Sequence, residues 1–400
     1  MAGTWIEVDL DAVVENYQEV VTHLSSGARC MAVVKADAYG LGAIEVARAL
    51  ERAGCDAFAV TRVEEGLILR EHGIKGIILV LGPTVKEEWS SAISARLQLT
   101  LSELSWIEEL NENFSEQECQ APVQVHLKLE TGMGRTGFRF SEIDGLAIAL
   151  EKAPHIQVVG VYTHFARAAQ RDQGYTSGQY ERFGASVNRL EALGICPTWK
   201  HVCNSAAFLD YPQWHHDFVR IGTLLIGHYP GQGFSGKLTL NDPWVAKSRI
   251  VHLRKVPKGT YVGYQSIYRT KVETQLAVIP VGYSDGFGLE PHFTPQGWID
   301  FLKIVIKNLA ALFGIFVGQE RVELKGKTVR VAGKIGMQLT VIDVGIQDCA
   351  LGDEVEIPLR RTVANPRISR KYIQGGQILS ERTLEEGISH IHQEYPLLGI

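Results

Sequence analysis

Between residues 30 and 230 the chain repeats one alternation eight times. Short apolar runs, MAVVKA, CDAFAV, GIILVL, LQLTL, VQVHLKLE, IQVVGVYTHF, KHVCN and FVRIG, are separated by stretches of helical character. In EVARALERAG and RVEEGLILREHG apolar residues recur at i, i+3 and i+4 with charges between them, the signature of one buried helix face. Strands that alternate with helices form βαβ units and therefore a parallel sheet. Eight such units in about 200 residues predict a (β/α)8 TIM barrel rather than an open sheet.

Beyond about residue 240 the texture changes. VAKSRIVHLRKV, TQLAVIPVGY, RVELKGKTVRVAG and DEVEIPL are alternating or β-branched runs broken by glycine turns, which predicts a mostly-β domain. ELKGKTVRV reads as a hairpin. The α/β chain is thus expected to divide into a barrel over residues 1–238 and a β domain over 239–400, with the first strand, residues 3–10, joining the second domain. WIDFLKIVIKNLAALFGIF, residues 298–316, has Leu302, Val305, Leu309, Leu312 and Phe316 at helical spacing. Asp300, Lys303 and Lys307 interrupt it, so no membrane span is predicted. The segment reads as an amphipathic helix packed on its own domain.

Of the 400 residues, 45% are hydrophobic and 21% charged, a balance suited to a large buried core. A net charge of −5 without a lysine or arginine run argues against nucleic acid as a partner. Six cysteines, at 30, 55, 119, 196, 203 and 349, include no C-x-x-C pair. That spacing argues against a structural metal site or a disulfide framework and suits a reducing cytoplasm. The first residues, MAGTWIEVDLDAVVENY, do not read as a signal peptide.

In barrels of this class the working groups stand at the C-terminal strand ends. Lys35 ends the first run, Lys128 lies in the fifth and His164 ends the sixth; His201 and Ser205 follow the seventh, and Arg220 and Gly222 end the eighth. A desolvated lysine is a nucleophile toward an aldehyde, although a strand-end lysine also serves as a salt-bridged structural group. The small residues of NSAA and IGTLLIG suit phosphate at a strand-to-helix turn, or ordinary turns and caps. Arg135, in TGMGRTGF, suits bidentate carboxylate binding, or a loop salt bridge. His164 is placed either to lie against a flat ring or to be satisfied within the core.

Lys35, Tyr39, Lys128, Arg135, His164, His201, Ser205 and Arg220 stand in this order at successive strand ends. With these motifs the chain resembles the alanine racemase family, pyridoxal-phosphate enzymes with an N-terminal barrel and a C-terminal β domain. TWIEVDLDAVVENY is similar to the family's opening and VVKADAYGLG to its cofactor-lysine motif. LKLETGMGRTGF, GVYTHFA, HVCNSA and VRIG follow in order, then KGTYVGYQSIYRT and IPVGYSDG in the second domain.

The resemblance implies roles. Lys35 would carry pyridoxal 5'-phosphate and act as a base on one face of the substrate Cα. Tyr264, contributed by the partner in a homodimer, would act on the other face. Tyr39, Ser205 and Gly222 would hold the phosphate, His164 would lie against the ring, and Arg220 would face the ring nitrogen with support from His201. Arg135 and Met337 would contact substrate, and Lys128 matches a lysine that is often carbamylated. Metal has no part in this scheme. Some positions depart from the family pattern: Leu41 for a histidine, Ala169 and Gln338 for acids, Val363 for a tyrosine, and an apparent insertion over about 290–318. These departures motivate two alternatives, a racemase of broader or different amino-acid specificity or a cofactor-binding protein with a regulatory role; another pyridoxal-phosphate activity on the same fold, such as decarboxylation, is a third, against which Arg220 argues.

Overall fold

The computed structural model describes residues 3–114, 122–231, 233–234, 236–289, 297–312 and 320–383. They fall into two compact units. One runs from Leu10 to Pro243; the other combines the residues up to Asp9 with those from Trp244 onward.

The first unit is the (β/α)8 barrel. Its strands are β1 (Arg29–Val33), β2 (Ala57–Val60), β3 (Ile77–Val80), β4 (Gln98–Leu101), β5 (Val123–Lys128), β6 (Ile156–Tyr162), β7 (Trp199–His201) and β8 (Phe218–Ile221). Each pairs in parallel with the next up to β7, and β8 returns to β1 with Arg29 opposite Phe218. Between β7 and β8 the circle is drawn together by the Asp217 N–H on the Lys200 carbonyl at 3.1 Å and the Arg220 N–H on the Cys203 carbonyl at 2.9 Å. The strands are mostly apolar because helices cover their outer faces; the polar exceptions, among them Gln98, His126, Lys128, His201 and Arg220, lie on β4, β5, β7 and β8. Alternate residues Met31 and Val33, Ala57 and Ala59, with Leu79 and Phe218, pack together as one core cluster, as the two-residue strand period requires.

A register shift between Val125 and His126 sets His126 opposite Gly160 in the β5–β6 pair. Such irregularities re-aim a side chain. Here the re-aimed group is a fully buried imidazole.

In the second unit the strand Thr4–Asp9 runs antiparallel to Trp244–Arg249 on one side and parallel to Ser369–Gln374 on the other. The strands Arg321–Leu324 and Lys327–Val331 form the hairpin expected from ELKGKTVRV. Lys325 and Gly326 at its tip have φ of 51° and 74°, the left-handed pair that a two-residue turn of matching twist needs.

The helix Trp298–Leu312 forms where its periodicity placed it, but it does not bury its apolar arc. Trp298 is 85% and Ile299 73% exposed, and Phe301, Leu302, Ile306 and Leu309 are exposed as well. Ile304 and Val305 are half-buried, and Trp298 meets the edge of the Phe301 ring at 6.0 Å. The remainder of the supposed insertion, 290–296 and 313–318, lies outside the described residues. No helix among the described residues is long and apolar enough to cross a membrane.

Candidate active site

Directly after β1 the backbone leaves ordinary space. Ala36, Asp37, Ala38 and Tyr39 have φ of 51°, 56°, 51° and 57°, one left-handed turn built of non-glycine residues. Each such residue costs about 1–2 kcal/mol, so the surroundings must hold the turn. The Val34 carbonyl accepts from the Ala38 N–H at 2.8 Å and the Ala36 carbonyl from the Gly40 N–H at 3.0 Å. The Asp37 carboxylate accepts from the Ala43 N–H at 2.8 Å and so ties the turn to the start of helix Ala43–Arg52. Glu65 clamps the other side. Its carboxylate accepts from the N–H groups of Ala36 (2.5 Å), Thr61 (2.8 Å) and Arg62 (3.0 Å), joining the loops after β1 and β2.

The turn places Lys35 and Tyr39 in one cavity of about 550 Å³ at the C-terminal ends of the strands. Burial, with the Arg135 cation next, lowers the Lys35 pKa against a smaller opposing pull from Glu65. The Tyr39 Oη would meet a Cβ on Gly222 at 2.1 Å, so only glycine leaves the phenol its place. The Tyr39 pKa is pushed up to about 12 by burial, which keeps the phenol a donor. The Gly222 N–H donates to Ser205 Oγ at 3.3 Å. The adjacent Asn204 side chain caps helix Ser205–Asp210 by accepting from the Ala206 and Ala207 N–H groups at 3.1 and 3.0 Å.

Arg220 is 4% exposed. Its Nη1 donates to His201 Nδ1 at 2.9 Å and to the His201 carbonyl at 2.8 Å. Its Nη2 donates to the carbonyls of Thr163 at 2.7 Å and Val202 at 3.2 Å. Burial lowers its pKa to about 10, so it remains a cation at neutral pH. The same cation, after burial, holds His201 well below the ordinary imidazole range.

His164 on the cavity wall is held at about 3 by burial and then by Arg220, Arg135, Lys128 and Lys35. It is a neutral ring among cations. Lys128 is buried and donates to Thr136 Oγ1 at 2.5 Å. Burial, then Arg135 and Arg220, brings its pKa down to about 8. Arg135 sits on a loop folded around Glu130, whose carboxylate accepts from the N–H groups of Gly132, Gly134 and Arg135 at 2.5, 2.9 and 3.2 Å. Burial alone would raise the Glu130 pKa; these backbone donors outweigh it and hold it low.

Lys35, Tyr39, Lys128, Arg135, His164, Ser205, Arg220 and Gly222 thus line one cavity, and Ala169 lines it too; His201 lies behind Arg220. Tyr264 and Met337 belong to the other unit, where they are 73% and 58% exposed. Tyr264 follows Gly263 at φ 74° and precedes Gln265 and Ser266 at 60° and 51°, so it sits in a tight turn flanked by positive-φ residues. Sequence reasoning missed Tyr162, whose buried ring stacks on His201 at 4.8 Å and carries the Arg220 guanidinium at 5.1 Å. It also missed Glu65 and Thr136. His126 carried a signal, being a histidine inside the otherwise apolar run VQVHLKLE.

Comparison with known proteins agrees with this geometry. Residues 8–230 match the family model "Alanine racemase, N-terminal domain" and residues 244–370 match "Alanine racemase, C-terminal domain". Alanine racemase 2 of Caldanaerobacter subterraneus subsp. tengcongensis is 34% identical over 88% of this chain and 85% of its own length. The alanine racemase of Desulforamulus reducens is 35% identical over 88% of this chain and 89% of its own. Among solved structures, alanine racemase from Clostridium difficile superposes with a TM-score of 0.84 at 29% identity, covering 96% of this chain and 99% of that one. The Bacillus anthracis enzyme with bound L-Ala-P gives 0.83 at 28% identity over 96% and 99%. The chain belongs to the alanine racemase family.

Proposed function

We propose that the chain is a pyridoxal-phosphate-dependent alanine racemase, an isomerase that interconverts L- and D-alanine by a two-base mechanism. The observation that carries this reading is one cavity in which an amine of lowered pKa, Lys35, shares the walls with a buried arginine, Arg220. The donor set fits the cofactor. Gly222 keeps clear the space a Cβ would fill beside Tyr39, and Tyr39, Ser205 and Gly222 form a neutral donor cradle of the kind phosphate takes. The flat, uncharged ring of His164 suits contact with a pyridine face. Pyridoxal 5'-phosphate, when bound, supplies an aldehyde for capturing an amine and a conjugated ring that withdraws electrons from Cα.

The residues then divide the work. Lys35 Nζ, neutral, takes the proton from Cα on its own side, forming an N–H bond as the C–H bond breaks. Tyr264 Oη, contributed by a second subunit, delivers a proton to the opposite face. The two groups end with exchanged protonation, and the reverse reaction starts from that state. Arg220 would present a fixed cation toward the ring nitrogen and disfavour a proton there, restraining the ring as an electron sink. Arg135 binds the substrate carboxylate, with Met337 beside it. The neutral fraction of Lys128 takes up carbon dioxide, forming an N–C bond and releasing a proton; the resulting anion orients Arg135.

We assign cofactor binding to residues 1–238 and the second base to 239–400, in a cytoplasmic homodimer that serves D-alanine biosynthesis. The test is racemisation and Cα deuterium exchange with purified protein and added cofactor. Lys35→Ala and Tyr264→Phe should each lower turnover by about 10²-fold or more, the scale of a lost general acid or base. Full activity of Lys35→Ala would defeat the reading. Ala169 on the cavity wall, where the resemblance expects an acid, favours a second reading: broader specificity for amino acids larger than alanine. A substrate panel decides it, since strict preference for alanine would remove it.

A further inference from the structure

Behind Arg220 a chain of polar groups crosses the barrel interior. Arg220 Nη1 donates to His201 Nδ1 at 2.9 Å. His201 Nε2 stands 2.8 Å from His126 Nδ1, and His126 Nε2 stands 2.8 Å from Gln98 Oε1. Gln98 Nε2 donates to Gln124 Oε1 at 2.8 Å. Arg220 lies near the C-terminal end of β8 and His201 closes β7, whereas Gln98 opens β4 and Gln124 is the second residue of β5. The chain therefore starts at the candidate active site and ends at the opposite face of the barrel, where Gln124 is exposed. Both imidazoles are fully buried.

We infer that His126 and Gln98 are positioning residues of the candidate active site, holding Arg220 through His201 by a hydrogen-bond chain that can run in only one direction. The inference rests on the reading that Arg220 faces the cofactor ring. A guanidinium only donates, so His201 Nδ1 accepts and its proton sits on Nε2. That N–H donates to His126 Nδ1, which puts the His126 proton on Nε2 as well. Gln98 must then present its oxygen, and its amide nitrogen turns to Gln124. The order requires both rings to be neutral, because an imidazolium has two donors and no acceptor. Burial, followed by the Arg220 charge, supplies that condition by holding His126 at about 3 and His201 low.

The chain has a steric counterpart. A Cβ on Gly160 would lie 2.1 Å from His126 Nδ1, so the bare backbone at 160 makes the room in which His126 meets His201. Its consequence appears at the arginine. All four Nη hydrogens are committed, to His201 Nδ1 and to three carbonyls. Among the described residues the Nε–H is the donor left to point at a ligand. Losing the far end would let His126 and then His201 reverse, opposing an N–H to the guanidinium and releasing its orientation.

The experiment uses the full chain with and without added pyridoxal phosphate. Histidine 15N spectra of the wild type should show His126 and His201 neutral and protonated on Nε2 at neutral pH, a readout independent of turnover. His126→Leu and Gln98→Leu should shift the absorption maximum of the bound cofactor and lower kcat by about tenfold, the scale of losing an outer-layer partner, with KM little changed. His126→Asn, whose Oδ1 can accept near the Nδ1 position, should restore most of both. An imidazolium signal, or His201 protonated on Nδ1, would overturn the inference. So would a folded His126→Leu variant with an unchanged spectrum and kcat, or equal losses of melting temperature in His126→Leu and His126→Asn without a spectral change. If no amino acid is turned over, the 15N pattern and the absorption shift still decide this inference, while the racemase reading alone falls.

Discussion

The Oη of Tyr39 occupies the space beside the Gly222 backbone, 2.1 Å from where a Cβ would stand. One residue belongs to the left-handed turn after β1 and the other to the end of β8, the two strands that complete the circle. A phenol and a missing side chain thus define one wall of the cavity between them. Gly222→Ala forces Tyr39 outward or shifts the β8 loop. We expect affinity for pyridoxal phosphate to fall at least about tenfold, or ~1.4 kcal/mol, in an absorbance titration, with the fold retained.

Lys128 should leave a mark on stability against pH, measured by urea unfolding with carbon dioxide excluded. Its pKa is about 8 folded against an ordinary 10.5. Below about 8 both states carry the proton, and the folded chain bears the full burden of a buried cation. Between about 8 and 10.5 the unfolded state binds more protons, so stability rises with pH by up to ~1.4 kcal/mol per unit. Lys128→Met should be the more stable protein near neutral pH, and the difference should shrink toward 10.5.

Glu65→Gln removes the charge that holds three backbone N–H groups across two loops. Hydrogen bonds to a charged group contribute more than neutral ones. The expected loss is about 1–2 kcal/mol, concentrated locally. Hydrogen exchange should accelerate at the Ala36 and Thr61 amides more than at the centre of β2.

Gly160→Ala drives a methyl group into His126, which lies in close-packed interior on every side. Over-packing of this kind costs about 1–3 kcal/mol. Thermal unfolding should report that loss. Gly184→Ala, at a helical glycine with open space around it, should cost nothing and serves as the control.

Much of the barrel was legible because its physics is local. A parallel strand buried on both faces must be an apolar run, and the helix after it must show a three-to-four spacing. The same rule made Lys35, Lys128, His164, Arg220 and Gly222 legible as a group, since the residue that ends such a run emerges at the mouth. Glu65 was not legible: its partner Ala36 is 29 positions away, and nothing in RVEEGLILREHG separates a clamp from a solvated helix start. Nothing in IQVVGVYTHF marks Tyr162 as the ring that carries the Arg220 guanidinium. The exposure of Trp298, Phe301 and Leu302 on helix Trp298–Leu312 was not legible either, because periodicity reports which side is apolar and not whether anything covers it.

The chain's own order of residues determined the succession of strands and helices, the change to β structure after about residue 240, and the set of polar groups at the strand ends. Those features follow from side-chain period and from backbone hydrogen bonding, which act over a few residues. Only the tertiary structure decided the left-handed turn from Ala36 to Tyr39, the clearance at Gly222 and Gly160, and the direction of the chain from Arg220 to Gln98. Each of these depends on atoms distant in sequence being forced within hydrogen-bond or van der Waals reach in a buried interior, where a proton can sit on one nitrogen and not on the other.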